Sequence, residues 1–136
     1  RRGLETMARA LHLNGLRFTG WLEQPQLARL FSTADVAVVP SREEPFGLAA
    51  MEAMACGAPV VASNVGGLPE HVDDSVGRLV NPDSPGELAH AITEEIKDGG
   101  RKVKGRAAAE RAARHTWREH TEELLKIYRA AVSGTR

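Results

Sequence analysis

Two short apolar runs, VAVVP at residues 36–40 and PVVAS at residues 59–63, constrain the fold of this chain more than any other feature. Neither alternates apolar with polar residues. A strand with one face in water shows period-two alternation, whereas a strand covered on both faces reads as an unbroken apolar run. Both runs therefore predict strands in a parallel sheet with helices packed on each side. The segment between them, residues 46–56, is long enough for a crossover helix and is followed by Gly57, a helix stop.

The rest of the chain fits that plan. Leu4, Met7, Ala8 and Leu11 recur at helical spacing before Asn14-Gly15, which predicts a helix over 4–13. LRFTG, residues 16–20, reads as a short strand, and residues 26–31 as a helix. NVGG is a glycine turn, residues 68–72 a short helix, and GRLV at 77–80 a last strand before the turn NPDSPG. Residues 87–96 form a helix with Leu88, Ala91, Ile92 and Glu95 in register. Gly99-Gly100 marks a break, and residues 106–132 form a helical tail bent or broken near His115-Thr116. Strands alternating with helices through short loops give an α/β, Rossmann-like, doubly wound unit of about four strands. One domain accounts for all 136 residues.

Composition narrows the function. The 18 basic and 18 acidic residues cancel, which argues against a dedicated nucleic-acid binder. The charge is uneven, with two bases against eight acids over 37–92 and eleven bases against seven acids over 93–136. Cys56 is the only cysteine, so no intramolecular disulfide forms, and a reducing, cytoplasmic setting fits. No apolar run has the length of a membrane span. The first residues lack the apolar core of a signal peptide and do not begin with Met, which suggests a piece of a longer protein.

Ligands of open parallel sheets sit beyond the carboxyl ends of the strands. Those ends are residues 20–22, 40–47 and 64–67. The second holds Glu44, and Glu52 follows within the apolar helix LAAMEAMAC, four residues from both Leu48 and Cys56. An ionised carboxylate on an apolar stripe must be paired, hydrogen-bonded or protonated. A carboxylate accepts only, and can hold two vicinal hydroxyls such as those of a ribose. The amides of Phe46, Gly47 and Leu48 at the start of the helix favour a phosphate, and Gly47 lets the backbone come close. Residues and spacing alone point to a ligand that combines phosphate with sugar hydroxyls. They leave open that Glu44 is only a helix-start acid and that Glu52 caps a neighbouring loop.

The stretch EPFGLAAMEAMACGAPVVASNVGGLPE, residues 44–70, resembles the signature of the family-four retaining glycosyltransferases, which have the GT-B fold. That family carries two glutamates with seven residues between them, as Glu44 and Glu52 stand here. The resemblance extends upstream through LRFTGWL and ADVAVVPS, and downstream through GRLVNPDSPGELAHAI to HTWREHTEELLKIYRAAV. It implies part of the C-terminal half of a GT-B fold, a nucleotide-sugar-binding domain that would take a UDP-, GDP- or ADP-sugar and transfer a hexosyl group to an acceptor hydroxyl with retention. Glu44 would contact the transferred sugar near the reacting carbon, as the catalytic candidate. Phe46, Gly47 and Leu48 would offer amides to sugar and diphosphate, Glu52 would bind the ribose, and Leu22 would lie in the loop that meets the base. No metal or other cofactor is implied. The resemblance also implies that the acceptor-binding domain, the first strands of the donor domain and the Arg–Lys pair aimed at the diphosphate lie elsewhere, so that this chain alone would be inactive or would need a partner chain.

Two other classes of function stay open at this point. One is a nucleotide-sugar epimerase or glycogen-synthase-like enzyme of the same fold. The other is a non-catalytic nucleotide-binding or assembly module. Cys56 reads as a small buried residue or a reactive thiol, and His71 as a solvated loop histidine or one that approaches the ligand mouth. Gly66-Gly67 is either a tight turn or a close approach to the ligand. RKVKGR, residues 101–106, is a solvated charge run at a helix start or a contact with an anionic membrane. Trp117, Thr121, Leu124, Leu125 and Tyr128 form a stripe on the last helix that reads as core packing against strands or a domain outside this chain. The resemblance implies that this helix crosses to the acceptor domain, which would leave an apolar patch on the isolated chain and favour self-association.

Overall fold

The computed structural model describes residues 1–134. Its centre is the second apolar run. Strand β2 (Val60–Ser63) is buried along its whole length between β1 (Ala37–Val39) and β3 (Gly77–Val80), and all three run parallel in the order β1-β2-β3. Val60 and Ala62 point to one face, packing with the helices α3 (Leu48–Ala55), α4 (Leu68–His71) and α6 (Gly100–Ala112). Val61 points to the other, against α5 (Pro85–Lys97) through Ala91, Leu88 and Ile92. Burying one such valine stabilises the fold by about 1.5–3 kcal/mol relative to leaving it exposed. The doubly covered strand expected from PVVAS is present.

VAVVP behaves differently. Ala37 is buried but Val38 is 38% exposed, because β1 is the edge of this sheet and one of its faces is open. LRFTG, expected as a fourth strand, pairs with no strand among the described residues, and Leu16 is 52% exposed. An extended segment becomes a strand only when a neighbour accepts its backbone hydrogen bonds. The other elements fall near their expected places, with α1 at Arg2–Ala10 and α2 at Gln24–Thr33. The tail is two helices, α6 and α7 (Trp117–Ser133), separated at residues 113–116, and α6 begins six residues before the expected start. Thr116 caps α7 by accepting from the Glu119 amide at 3.2 Å.

The basic run 101–106 lies inside α6, and half of it is engaged within the fold. Arg101 donates to the carbonyls of Phe31, Ser32 and Ala34, capping the C-terminus of α2 with a cation. Lys104 donates to Glu95 at 2.8 Å and to the Gly77 carbonyl at 3.2 Å. Glu95, expected only as a member of a helical stripe, is fully buried and also accepts from Arg78 at 3.2 Å. This cluster ties α5, α6 and β3 together at the amino ends of the strands, away from the mouth where Glu44 stands. Opposite it, α7 has no buried residue: Trp117 is 86%, Tyr128 59%, Leu125 44% and Leu124 41% exposed.

Candidate functional site

The loop after β1 is folded around Glu44. Its carboxylate accepts the Gly47 amide at 3.0 Å through Oε1 and the Ser41 hydroxyl at 3.3 Å through Oε2. Gly47 has φ +95°, a left-handed conformation that L side chains rarely adopt, and this sharp turn starts α3 at Leu48 rather than at Phe46. The Gly47 amide, expected as an open donor for phosphate, is therefore taken by Glu44. The amides of Leu48 and Ala49, in the first turn of α3, have no acceptor within the helix. Glu44 keeps capacity of its own, because a carboxylate offers about four lone-pair positions and two donors occupy it here.

The loop after β2 clasps the same backbone. Gly67 donates its amide to the Glu44 carbonyl at 3.0 Å. A Cβ on Gly66 would overlap that carbonyl oxygen, and one on Gly67 would stand 2.8 Å from the Pro45 oxygen and 2.9 Å from the Phe46 oxygen. Gly66, at φ +52°, makes the tight turn that is one of the two readings, and what both glycines let approach is the 44–46 backbone. Across the mouth, Arg42 pairs with Asp83 at 2.7 Å, both exposed, an interaction worth at most about 1 kcal/mol.

Glu52 is half-buried, not buried. The core side of α3 is Ala50, Met51, Ala53 and Met54, while Leu48 is 65% exposed and Cys56 half-buried. The stripe that carries Glu52 is thus the outer edge of the helix. Its Oε1 accepts from Gln24 Nε2 at 3.1 Å, its one polar contact among the described residues. Gln24 opens α2, two residues after the half-buried Leu22. This hydrogen bond ties the start of α2, two residues after Leu22, to Glu52 on α3. Glu44, Phe46, Gly47 and Leu48 form one continuous patch. Arg1, at the chain's start, is turned to Glu5 at 2.7 Å.

His71 is the residue the sequence misplaced most. It is 3% exposed, because the end of α4 tucks under the Glu44 loop. Its ring packs on Phe46 with centroids 4.8 Å apart and on His115, at the α6–α7 bend, at 5.1 Å. Neither ring nitrogen meets hydrogen-bond geometry with a protein partner, although the Phe46 carbonyl lies close enough to favour the charged ring. Burial pushes its pKa down, His115 and Arg111 add to the effect, and Glu70 opposes it. Phe46, His115, Leu48, Trp117 and His120 line a cleft of about 510 Å³ beside this stack. Arg111 braces the backbone there, donating to the His71 carbonyl at 3.1 Å and pairing with Asp73 at 2.8 Å. The Ser75 hydroxyl and Arg111 hold the Asp73 carboxyl down at about 2.

A stability profile should register the burial of His71. The unfolded ring titrates near ~6.5, and the folded ring lower. The unfolded chain then binds the extra proton, so stability is full above ~6.5 and falls as pH drops through the window toward the folded value. Denaturant unfolding measured from pH 8 to 5.5 should show this decline, and His71→Phe should flatten it. A slope unchanged in His71→Phe would assign the decline to other groups.

No three His, Cys, Asp or Glu side chains converge as metal ligands among the described residues. No helix among them is long and apolar enough to cross a membrane.

A parallel sheet covered by helices, with a glycine-turned acidic loop at its carboxyl edge, defines the class of Rossmann-like α/β domains, whose ligands sit at that edge. Comparison with known proteins gives the family. Residues 1–116 match the family described as glycosyl transferases group 1, and the chain belongs to it. D-inositol 3-phosphate glycosyltransferase of Saccharomonospora viridis is 46% identical over 112 residues, which is 81% of this chain and 26% of that protein. Sucrose-phosphate synthase from Thermosynechococcus elongatus superposes with a TM-score of 0.85 at 36% identity, covering 98% of this chain and 35% of that one. Anabaena HepE, solved in complex with UDP, superposes with a TM-score of 0.79 at 29% identity, covering 95% of this chain and 36% of that one. The chain therefore spans about a quarter of the length of its curated relatives. Its fold is part of a GT-B fold, and its family is one of transferases.

Proposed function

We propose that this chain forms the donor side of a retaining glycosyl transfer, binding a nucleotide-diphosphate sugar at the carboxyl edge of its sheet. One observation carries the reading. Glu44 and Glu52 both stand at or beside that edge, each anchored by protein donors and each with acceptor positions left over. In this reading Glu52 holds the ribose hydroxyls and Leu22 borders the base. Phe46, Gly47 and Leu48 shape the sugar and phosphate subsite, with the Leu48 and Ala49 amides turned to the diphosphate. Glu44 accepts from a hydroxyl of the transferred sugar as positive charge develops at its reacting carbon. Departure of the diphosphate and attack of the acceptor occur on one face, with no metal, in a cytoplasmic enzyme. The Arg–Lys pair that the family resemblance implies for the leaving diphosphate comes from outside this chain. The acceptor half of the cleft likewise lies in another domain or a partner chain.

Titration calorimetry with UDP, GDP and ADP tests this and names the base. One nucleotide is expected to bind, and Glu52→Ala to weaken it about tenfold, the loss of a hydrogen-bonded charged acceptor. Silence with all three nucleotides would overturn the reading. The exposed apolar face of α7 favours a second one, an assembly module that associates through that helix without handling a nucleotide.

A further inference from the structure

Gln24 stands outside every motif that singles out this site, yet its amide makes the one hydrogen bond to the Glu52 carboxylate among the described residues. We propose that Gln24 is a positioning residue for the nucleotide, fixing the Glu52 carboxylate so that its second oxygen faces the ribose. The inference rests on the donor-site reading and deepens it.

Three features of the geometry carry it. First, the hydrogen bond spans 28 positions and joins α2 to α3, so it is not a by-product of local helix geometry. Second, Gln24 is presented from a fixed turn. Pro25 follows it with a locked φ, and the Gln26 side chain accepts the Glu23 amide at 3.0 Å. Third, Glu52 sits half-exposed on the outer edge of α3, where a glutamate without a partner samples several rotamers. The Gln24 Nε2–H donates to Oε1 and so leaves Oε2, with its acceptor positions, turned to hydroxyl donors. A neutral amide does this without neutralising the carboxylate, as an Arg or Lys would. The same residue begins the helix that follows Leu22, so it also fixes the ribose clamp relative to the loop assigned to the base.

The test uses the chain with whichever of UDP (the ligand of a structural neighbour), GDP and ADP it binds, and with the 2′,3′-dideoxy form of that nucleotide, which lacks both ribose hydroxyls. Gln24→Met keeps the length of the side chain and removes the donor. It is expected to weaken the nucleotide about fivefold, the scale of one hydrogen bond acting through a charged partner. It should leave the affinity of the dideoxy form unchanged, and add nothing to Glu52→Ala. If Glu52→Ala weakens the nucleotide but Gln24→Met does not, the positioning role is wrong and the donor site stands. An equal loss with both nucleotides would mean a general structural effect and would also overturn it. If none of UDP, GDP and ADP binds, or Glu52→Ala is without effect on the one that does, the donor-site reading itself falls and takes this inference with it. Unfolding midpoints of the variants, expected to match the parent because Gln24 is exposed, separate misfolding from either result.

Discussion

Glu44→Ala in the active transferase is expected to lower turnover about a hundredfold, ~2.7 kcal/mol of transition-state stabilisation, with nucleotide affinity held within about twofold. The asymmetry follows from position. Glu44 stands in the loop assigned to the sugar, while the nucleotide contacts are proposed to lie with Glu52 and Leu22. Glu44 also has a structural duty, since it holds the Gly47 amide and the Ser41 hydroxyl. Glu44→Gln separates the two duties. Its amide oxygen can still accept from Gly47, so the turn survives while the negative charge near the reacting carbon is gone. A Gln variant as slow as the Ala variant assigns the loss to charge. A Gln variant at the parent rate would show that Glu44 serves the loop alone.

Glu95→Ala should destabilise the chain by about 3–5 kcal/mol, read from denaturant unfolding. Glu95 is fully buried and Lys104 beside it only 16% exposed, so removing the carboxylate strands an ammonium group with the Gly77 carbonyl as its remaining partner. Gly100 belongs to the same arrangement, because a Cβ there would overlap Glu95 Oε1. That oxygen has no partner among the described residues, and replacing Lys104 and Glu95 together by Met and Leu should recover most of the loss. A loss under 1 kcal/mol for Glu95→Ala would mean that water reaches the cluster.

These two glutamates mark the reach of sequence reasoning. Glu44 and its loop were legible because the chemistry is local: an acid, a helix start and a glycine within four residues. The sheet was legible because β2 has only one way to bury VVAS. Glu52 was placed on the right helix but at the wrong depth. In LAAMEAMA nearly every residue is apolar, so periodicity cannot say which side faces the core, and the small alanines, not Leu48, turned inward. LRFTG has strand composition, but pairing is a tertiary property. His71 lies in a four-residue helix too short to show a period, and its burial depends on Phe46 and His115. Glu95 did carry a signal, an acid in register with Leu88, Ala91 and Ile92. Its partners Arg78 and Lys104, from β3 and α6, could not be read from spacing.

The central claim is that a nucleotide sugar binds at the carboxyl edge of the sheet. Amide chemical shifts of the isotopically labelled chain, followed during titration with UDP, GDP and ADP, test it most directly. The account predicts that one of these nucleotides moves the amides of Leu22, Gly47, Leu48, Ala49 and Glu52 at or beside that edge, and leaves Gly77, Glu95 and Lys104 at the far end of the strands in place. Shifts gathered at the far end, or along α7 alone, would contradict it.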